Sequence, residues 1–268
     1  TCHSCLTTKV ERTQPKGQLS SKMDEKVGQT LYIDIAGPLP NSHGYTQLLI
    51  AVDGMSRYTI LIPLTQATST SIINALSNHV FKHFGFWQRI VSDNATVFTS
   101  KKFKDFIFTT GMKHTLLIPY YPCPNMAERQ IQNLKATIRA RCHDDHTAWA
   151  KDLYLTQIAL NSAYNESTKY SPSDLFFGRH LLTPINLIWD INNNQLDLQA
   201  TWETALQNIK SAHKKHAAAY NKKHTPTQYS IGNKVYLKTY IISDQQKSIN
   251  QKLAPKYRGP FEIIKKLS

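Results

Sequence analysis

The order of apolar segments between residues 31 and 118 is the feature that most limits how this sequence can fold. Three strand-like segments come first, with clear alternation at residues 31–36, and the Gly-containing connection GMSR between the second and third predicts a hairpin. Two more strands follow, each reached through a segment with helical spacing. Helix-linked strands pair in parallel, whereas the early three form an antiparallel group. We therefore predict an α/β fold with a mixed five-stranded sheet, with strands at residues 31–36, 47–53, 58–64, 89–93 and 114–118.

Helical periodicity is found in the later connections of this sheet and in the region after it. The clearest stripe runs from Ala127 to Cys142, where apolar residues recur at intervals of four, three, four and four. The segment SPSDLFFGR is typical of a capped helical turn with Pro172 at its first position. Further helices are predicted at residues 69–84, through Phe103 and Ile107 to near Gly111, at about residues 147–165, and at residues 202–223.

Positive charge is concentrated in the last quarter of the chain. The sequence contains 32 Lys and Arg against 18 Asp and Glu, a net charge of +14, and residues 203–268 hold thirteen of the basic and three of the acidic residues. There, a basic helix is followed by segments with the patterning of a small β-module. This balance favours a polyanionic partner such as nucleic acid. A solvated, solubilising tail is the alternative.

Other features exclude several classes of protein. No stretch approaches the roughly 18–20 apolar residues of a membrane span, and the first residues lack the apolar run of a secretory signal. Four cysteines argue against a disulfide framework, and the CxxC pair Cys2 and Cys5 is of a kind that holds zinc or does redox work. Because the chain begins with Thr1 rather than Met, we expect it to be a piece of a longer polypeptide.

Three acidic residues are placed for metal chemistry. Asp34 lies on the first predicted strand, Asp93 ends the fourth, and Glu128 lies in the first turn of the helix after the fifth. Adjacent strands bring such residues together, and converging carboxylates repel one another unless divalent cations neutralise them. Two ions, Mg²⁺ or Mn²⁺, about 3.5–4 Å apart would suit phosphoryl transfer. Taken singly, however, a strand-end Asp is more often a turn former, and a first-turn Glu more often a partner of the helix dipole.

Four sequence blocks turn this pattern into a family resemblance. In order along the chain, YIDIAGPLP, VDGMSRYT, VSDNATVFTS and PYYPCPNMAER resemble the core blocks of retroviral and LTR-retrotransposon integrases. The opening blocks are similar to those of foamy viruses, whereas NMAER and KLAPKYRGPF are similar to gypsy-class elements. The resemblance implies an RNase H-like catalytic core whose Asp, Asp, Glu triad is Asp34, Asp93 and Glu128, the last two 35 positions apart. Asp53 falls at a position that the family does not use for catalysis.

The resemblance also implies a domain organisation. Residues 1–24 would be the remnant of an N-terminal zinc-binding region and linker, and residues 25–190 the catalytic core. Residues 191–225 would form a helical linker, and residues 226–268 part of an SH3-like DNA-binding module. The CxxC pair would be the closing half of an HHCC zinc site whose two His ligands are missing upstream, so Zn²⁺ is expected only in a longer parent chain.

Several side chains are implied to contact DNA. Gln132 and Lys135 lie four and seven positions after Glu128, so they share its helix face, where the resemblance implies contacts with the DNA end. Tyr121, in the preceding loop, either packs on a base or sugar or props the loop against the core. The C-terminal module would contact phosphates without sequence preference. The implied DNA-binding residues are Tyr121, Arg129, Gln132, Lys135, Lys256 and Arg258, with Arg139 as a phosphate contact or simply part of a solvated helix face.

The function implied by the resemblance is that of a retroelement integrase, a metal-dependent polynucleotidyl transferase. Water would attack a phosphodiester near the end of the element DNA, and the freed 3′-hydroxyl would then attack target DNA. We expect element DNA ends, target DNA and further copies of the chain as partners, in the nucleus and also within a cytoplasmic retroelement particle. Two alternatives are a domesticated, non-catalytic DNA-binding or scaffold protein and an RNase H-like nuclease that degrades RNA in hybrids.

Overall fold

The structure is a computed structural model that describes residues 2–8, 19, 23–117, 133–134, 136–138, 140, 142, 145–189, 195–226, 228–239 and 253–265. The chain divides into two compact units. The larger unit consists of residues 21–214, and the smaller unit combines residues 1–20 with residues 215–268. In the described part of the chain, no helix is both long enough and apolar enough to span a membrane.

The larger unit contains a mixed five-stranded sheet with the strand order β3-β2-β1-β4-β5. Strand β2 pairs antiparallel with β1 and β3, and β4 pairs in parallel with β1 and β5. This confirms the sheet and the pairing directions predicted from the sequence. The strands are β1 (Thr30–Ala36), β2 (Gln47–Asp53), β3 (Thr59–Leu64), β4 (Arg89–Ser92) and β5 (Lys113–Leu116).

The helices lie largely where the periodicity predicts them. The helix after β3 continues through π-helical turns, and α6 begins with Pro172 and a reciprocal capping box between Ser171 and Asp174. Residues 133–134, 136–138 and 140 are helical, whereas the predicted start of that helix at Asn125 lies outside the described residues. The helices are α1 (His3–Thr8), α2 (Ser69–Ala75, extended by Leu76–Phe81 and Lys82–Phe84), α3 (Thr96–Thr99), α4 (Lys101–Thr109), α5 (Leu153–Ser162), α6 (Pro172–Phe177), α7 (Pro184–Ile188) and α8 (Leu198–Asn221).

The helix predicted at residues 147–165 is shorter than expected. A 3₁₀ turn at His146–Ala148 comes first, and α5 begins only at Leu153. Between them, the Trp149 indole donates a hydrogen bond to the Pro40 carbonyl at 2.7 Å, and the Ala150 N–H donates to the Ser42 hydroxyl at 3.2 Å. The Ala150 N–H is thereby bonded to the connection between β1 and β2 and not to a carbonyl of a continuous helix, and the Trp149 indole anchors the same segment.

Both faces of the sheet are buried. On β1, Leu31 and Ile33 point into a core that is completed by α2 and α4, while Tyr32 and Ala36 pack against a second core on the opposite face. Residues two apart on a strand share a face, so this alternation separates the two cores. A sheet covered on both sides explains why β2 is apolar at nearly every position.

The outer edge of β3 is closed by polar side chains of α5. Asn161, which is fully buried, accepts a hydrogen bond from the Thr59 N–H and donates one to the Thr59 carbonyl, both at 2.8 Å. Gln157 accepts from the Leu61 N–H at 2.8 Å, and Pro63 has no N–H to satisfy. The side chains therefore replace a neighbouring strand and prevent pairing with another chain.

Helix α8 begins as part of the larger unit. Ala205 packs with Met55 and Leu175 in a buried cluster, and the Trp202 indole donates to the Leu175 carbonyl at 2.6 Å. Gly178 ends α6 with a φ of +71°, and a Cβ there would lie 2.8 Å from the Leu198 side chain. Glycine is required because both the left-handed backbone and this close approach exclude a side chain.

The smaller unit contains the two strands predicted in the basic tail, β6 (Lys234–Lys238) and β7 (Tyr257–Glu262). They pair antiparallel with an irregularity between Val235 and Leu237. Helix α1 packs against β7, and the Lys256 N–H donates a hydrogen bond to the Thr7 carbonyl at 2.9 Å. That this module is SH3-like stays a prediction.

Replacing Asn161 with Ala should destabilise the larger unit, because both backbone groups of the buried Thr59 would lose their partner. We expect the free energy of unfolding, measured by urea denaturation, to fall by about 2–4 kcal/mol. Gln157→Ala is the matched control, since it removes one bond at a partly buried position and should cost about 1 kcal/mol. Equal losses for the two variants would contradict the edge-closing role of Asn161.

Candidate active site

The pairing of β1 with β4 brings two of the predicted catalytic residues to the same level. In this parallel pair Tyr32 is the partner of Val91. Continuing the register by two residues places Asp34 level with Asp93, which directly follows β4. Neighbouring strands lie about 4.8 Å apart, and residues two apart share a face. Asp34 and Asp93 therefore belong to the sheet face that carries Tyr32.

That face is covered by the helix that follows β5. Leu134, which is 1% exposed, and Ile138 pack in the core that also contacts Tyr32 and Ala36. Leu134 lies six positions after Glu128 in the sequence. Several predicted site residues lie outside the described residues, namely Tyr121, Glu128, Arg129, Gln132, Lys135 and Arg139.

Local hydrogen bonds orient the two described carboxylates. Oδ1 of Asp93 accepts from the Ala95 N–H at 3.0 Å, and Oδ1 of Asp34 accepts from the Ile35 N–H at 2.7 Å. Asp93 is exposed and Asp34 is half-buried. Within the described residues, the Ala95 N–H bond is the hydrogen bond recorded to the Asp93 carboxylate.

The end of β4 is fixed to β5 by three contacts. The Leu117 N–H donates to the Ser92 carbonyl at 2.9 Å, and the Asn94 side chain donates to the Leu117 carbonyl at 2.6 Å. The Ser92 hydroxyl lies 2.9 Å from Nε2 of His114. These contacts hold the backbone on both sides of Asp93.

Asp53 has a different role from Asp34 and Asp93. It is 1% exposed and accepts five hydrogen bonds. The donors are the Gly28 N–H (2.9 Å), the Trp87 indole (2.8 Å), the Met55 N–H (3.2 Å), and the N–H (2.9 Å) and hydroxyl (2.7 Å) of Ser56. With its lone pairs occupied, Asp53 anchors the β2–β3 hairpin to the start of β1.

Sequence reasoning missed a second buried carboxylate, Asp24. It accepts hydrogen bonds from the Thr30 hydroxyl at 2.5 Å, the Tyr32 hydroxyl at 2.9 Å and the Arg89 guanidinium at 2.9 Å. Burial, followed by the negative charge of Asp24, raises the pKa of Tyr32 well above its usual range, so its hydroxyl remains a donor. A Cβ at Gly54 would lie 2.3 Å from the Asp24 carboxylate, so the close approach requires glycine. No local motif signals this cluster, because its members come from three separate segments.

The predicted zinc pair lies in the smaller unit. Cys2 is exposed, Cys5 is half-buried, and both are free thiols. Hydrogen bonds from the backbone of Cys5 and Ser4 lower the pKa of the Cys2 thiol, which favours the thiolate that metals bind. Across the ranges that the structure describes, no three His, Cys, Asp or Glu side chains gather as a metal site. The predicted phosphate contacts Lys256 and Arg258 are both exposed.

Comparison with known proteins identifies a family resemblance in the larger unit. Residues 24–122 match the family model of the integrase core domain. This part of the chain is similar to integrase core domains. The match includes Asp34 and Asp93 and ends before Glu128.

Relatives and solved structures agree with this resemblance. The chain is 26% identical to the transposon Tf2-3 and Tf2-4 polyproteins of Schizosaccharomyces pombe, over a 273-residue alignment that covers 99% of the chain. It spans 20% of the length of these relatives. It also shares its fold with a chain of the simian T-cell lymphotropic virus intasome in complex with PP2A regulatory subunit B56 gamma. The TM-score is 0.55 at 20% identity, covering 68% of this chain and 66% of that chain. The RNase H-like integrase fold and the predicted resemblance to LTR-retrotransposon integrases are thereby confirmed.

The buried carboxylate of Asp53 and the exposed carboxylate of Asp93 should differ in their contribution to the free energy of unfolding. Asp53→Asn places an amide N–H₂ among five hydrogen-bond donors, so we expect the free energy of unfolding to fall by about 2–4 kcal/mol. Asp93→Asn alters an exposed carboxylate and should change it by no more than about 0.5 kcal/mol. Urea denaturation of both variants measures these changes. A larger loss of unfolding free energy for Asp93→Asn than for Asp53→Asn would contradict the structural role assigned to Asp53.

Proposed function

We propose that this chain is the catalytic part of a retroelement integrase, which processes the ends of element DNA and joins them to target DNA. The observation that carries the proposal is the parallel register that brings Asp34 and Asp93 level on one sheet face. Glu128 would complete the triad, since its sequence block resembles that of the integrases. The match to transposon polyproteins over 99% of the chain supports the same activity.

The donor set fits divalent metal ions. Carboxylate oxygens are preferred ligands of Mg²⁺ and Mn²⁺, and two or three carboxylates in one place repel one another without such a charge. Asp34, Asp93 and Glu128 would hold the ions. When bound, a pair of ions would activate the attacking oxygen and stabilise the leaving oxygen of a phosphodiester. The chain itself orients one oxygen of Asp34 and one of Asp93 through the Ile35 and Ala95 N–H groups.

The reaction has two displacements at phosphorus. In processing, a water oxygen bonds to the phosphorus of a phosphodiester near the element end, and the 3′-oxygen leaves as a hydroxyl. In joining, this 3′-hydroxyl attacks a phosphodiester of target DNA and displaces another 3′-oxygen. No side chain forms a covalent intermediate, so catalysis depends on positioning and charge stabilisation.

The basic residues of the smaller unit would supply nonspecific contacts with DNA. Four basic residues of this unit are exposed, namely Lys234 and Lys238 on β6 and Lys256 and Arg258 at β7. Among the described ion pairs, none joins Lys256 or Arg258 to a carboxylate. Released counterions would favour binding. We further propose that the chain acts as a homo-oligomer on DNA in the nucleus and in a cytoplasmic retroelement particle, and that Cys2 and Cys5 bind Zn²⁺ only in a longer parent chain.

Removing either described carboxylate should abolish the reaction. For Asp34→Asn and Asp93→Asn, we expect Mg²⁺-dependent nicking of duplex DNA, and joining of a labelled 3′-hydroxyl duplex to a plasmid, to fall by about 10³-fold or more. Asp105→Asn, at an exposed position of α4, is the matched control and should retain activity. A wild-type chain that binds DNA but neither nicks nor joins it would favour the scaffold alternative, and preferential cleavage of RNA in hybrids would favour the nuclease.

The DNA contacts have a separate test. In Lys256→Ala/Arg258→Ala, loss of two phosphate contacts should weaken DNA binding about tenfold and reduce the slope of log K against log salt by about 2. Fluorescence anisotropy at several salt concentrations measures both quantities. Lys169→Ala is the control, because Lys169 is already paired with Glu166. An unchanged salt slope in the double variant would remove these residues from the interface.

A further inference from the structure

His114 and Ser92 lie directly behind the proposed site. On β5, His114 is the register partner of Ile90, and Ser92 at the end of β4 is the partner of Leu116. Ile90 belongs to the core on the face opposite Tyr32. His114 and Ser92 therefore occupy the face opposite Asp34 and Asp93, and act on Asp93 only through the backbone.

The Ser92 hydroxyl can make both of its hydrogen bonds at once in only one direction. The Ser92 hydroxyl donates to the Asp93 carbonyl at 3.0 Å and lies 2.9 Å from Nε2 of His114. A hydroxyl has a single proton to donate. With that proton directed to Asp93, the Ser92 oxygen accepts, and the donor must be an N–H at Nε2. Two hydrogen bonds therefore run from His114 through Ser92 to Asp93, and we call this pair of bonds the His114 relay.

The His114 ring is held in place for this bond. The Phe103 ring contacts it edge to face, with centroids 5.4 Å apart at 68°. Burial, followed by the positive charge of Lys104, lowers the pKa of His114 below its ordinary value. This shift favours the neutral imidazole, which has one N–H to place.

Asp93 needs this support more than Asp34 does. Asp34 lies inside β1, with Ile50 of β2 as its register partner. Asp93 lies just after the last residue of β4, and in the described part of the chain its carboxylate accepts a hydrogen bond from the Ala95 N–H, two residues later. We propose that His114 is a positioning residue that fixes the backbone of Asp93 through Ser92 and so presents its carboxylate to the metal. This proposal rests on the proposed function, which gives Asp93 its metal-binding role.

The decisive comparison is between His114→Leu and His114→Gln. Leu removes the N–H donor, whereas the Gln side-chain amide retains one. We expect His114→Leu to weaken Mn²⁺ binding by the intact chain about tenfold, measured by electron paramagnetic resonance of free Mn²⁺, and to slow joining by a similar factor with unchanged DNA affinity. His114→Gln should recover both to within about threefold of wild type. Equal loss in both variants, or wild-type Mn²⁺ affinity in His114→Leu, would overturn the proposal.

The Ser92 variants provide a second route if His114→Leu fails to fold. Ser92→Ala should weaken Mn²⁺ binding as much as His114→Leu does, and Ser92→Thr, which keeps the hydroxyl, should restore it. Both substitutions break the same relay. The double variant Ser92→Ala/His114→Leu should therefore bind Mn²⁺ no more weakly than either single variant. Additive losses would overturn the relay.

A spectroscopic readout needs neither metal nor activity. Long-range ¹H–¹⁵N correlation spectra of the wild-type chain should show His114 as the neutral tautomer protonated at Nε2. Protonation at Nδ1 instead would overturn the proposal. A wild-type chain that binds Mn²⁺ but neither nicks nor joins DNA would refute the proposed function alone, whereas one that binds no Mn²⁺ would overturn both.

Discussion

The parallel pairing of β1 with β4 is the constraint on which the rest of the larger unit depends. It requires a crossover, which β2, β3 and α2 supply, and it leaves both faces of the sheet to be covered by other elements. Because the two strands run in the same direction, they end at the same edge, where Asp34 and Asp93 are level. A carboxylate pair can be built there without burying its charge, since Asp93 is exposed and Asp34 is half-buried.

The acidic residues of this unit divide according to what neutralises them. Asp53 and Asp24 are buried and surrounded by N–H and O–H donors, and Asp174 lies buried at the start of α6, with Oδ1 2.6 Å from Nδ1 of His180. Asp53 and Asp24 stabilise the fold, because a buried carboxylate is tolerated when its oxygens accept hydrogen bonds. In Asp174, Oδ2 accepts from the Ser171 N–H at 2.9 Å and so caps α6. Asp34 and Asp93 each accept a backbone hydrogen bond at Oδ1 from a residue one or two positions later, and this bond orients the carboxylate.

The proposed chemistry combines what is shown for the core with what the sequence implies beyond it. The integrase core match covers residues 24–122 and so contains both aspartates and the β4–β5 contacts behind them. Glu128 enters through its sequence block alone. The chain spans a fifth of the length of its transposon relatives. The site can therefore be explained without the activities of the rest of a polyprotein. In the proposed function, three carboxylates would have to be held rigidly enough to share ions, and the proposed His114 relay would position one of them.

The sequence by itself determined the strands, their pairing directions and the cap at Pro172, because alternation, helical spacing and capping are encoded within a few neighbouring residues. It also placed Asp34 on the first strand and Asp93 at the end of the fourth. Only the tertiary structure decided which polar groups meet across long separations. Asn161 closes the edge of β3 from 102 positions away, and the Trp149 indole, beside the break in a predicted helix, bonds to Pro40, 109 positions earlier. The bond between His114 and Ser92 likewise depends on the register of two strands. Such contacts follow from packing, where a buried donor must find an acceptor, and no local pattern specifies which one it finds.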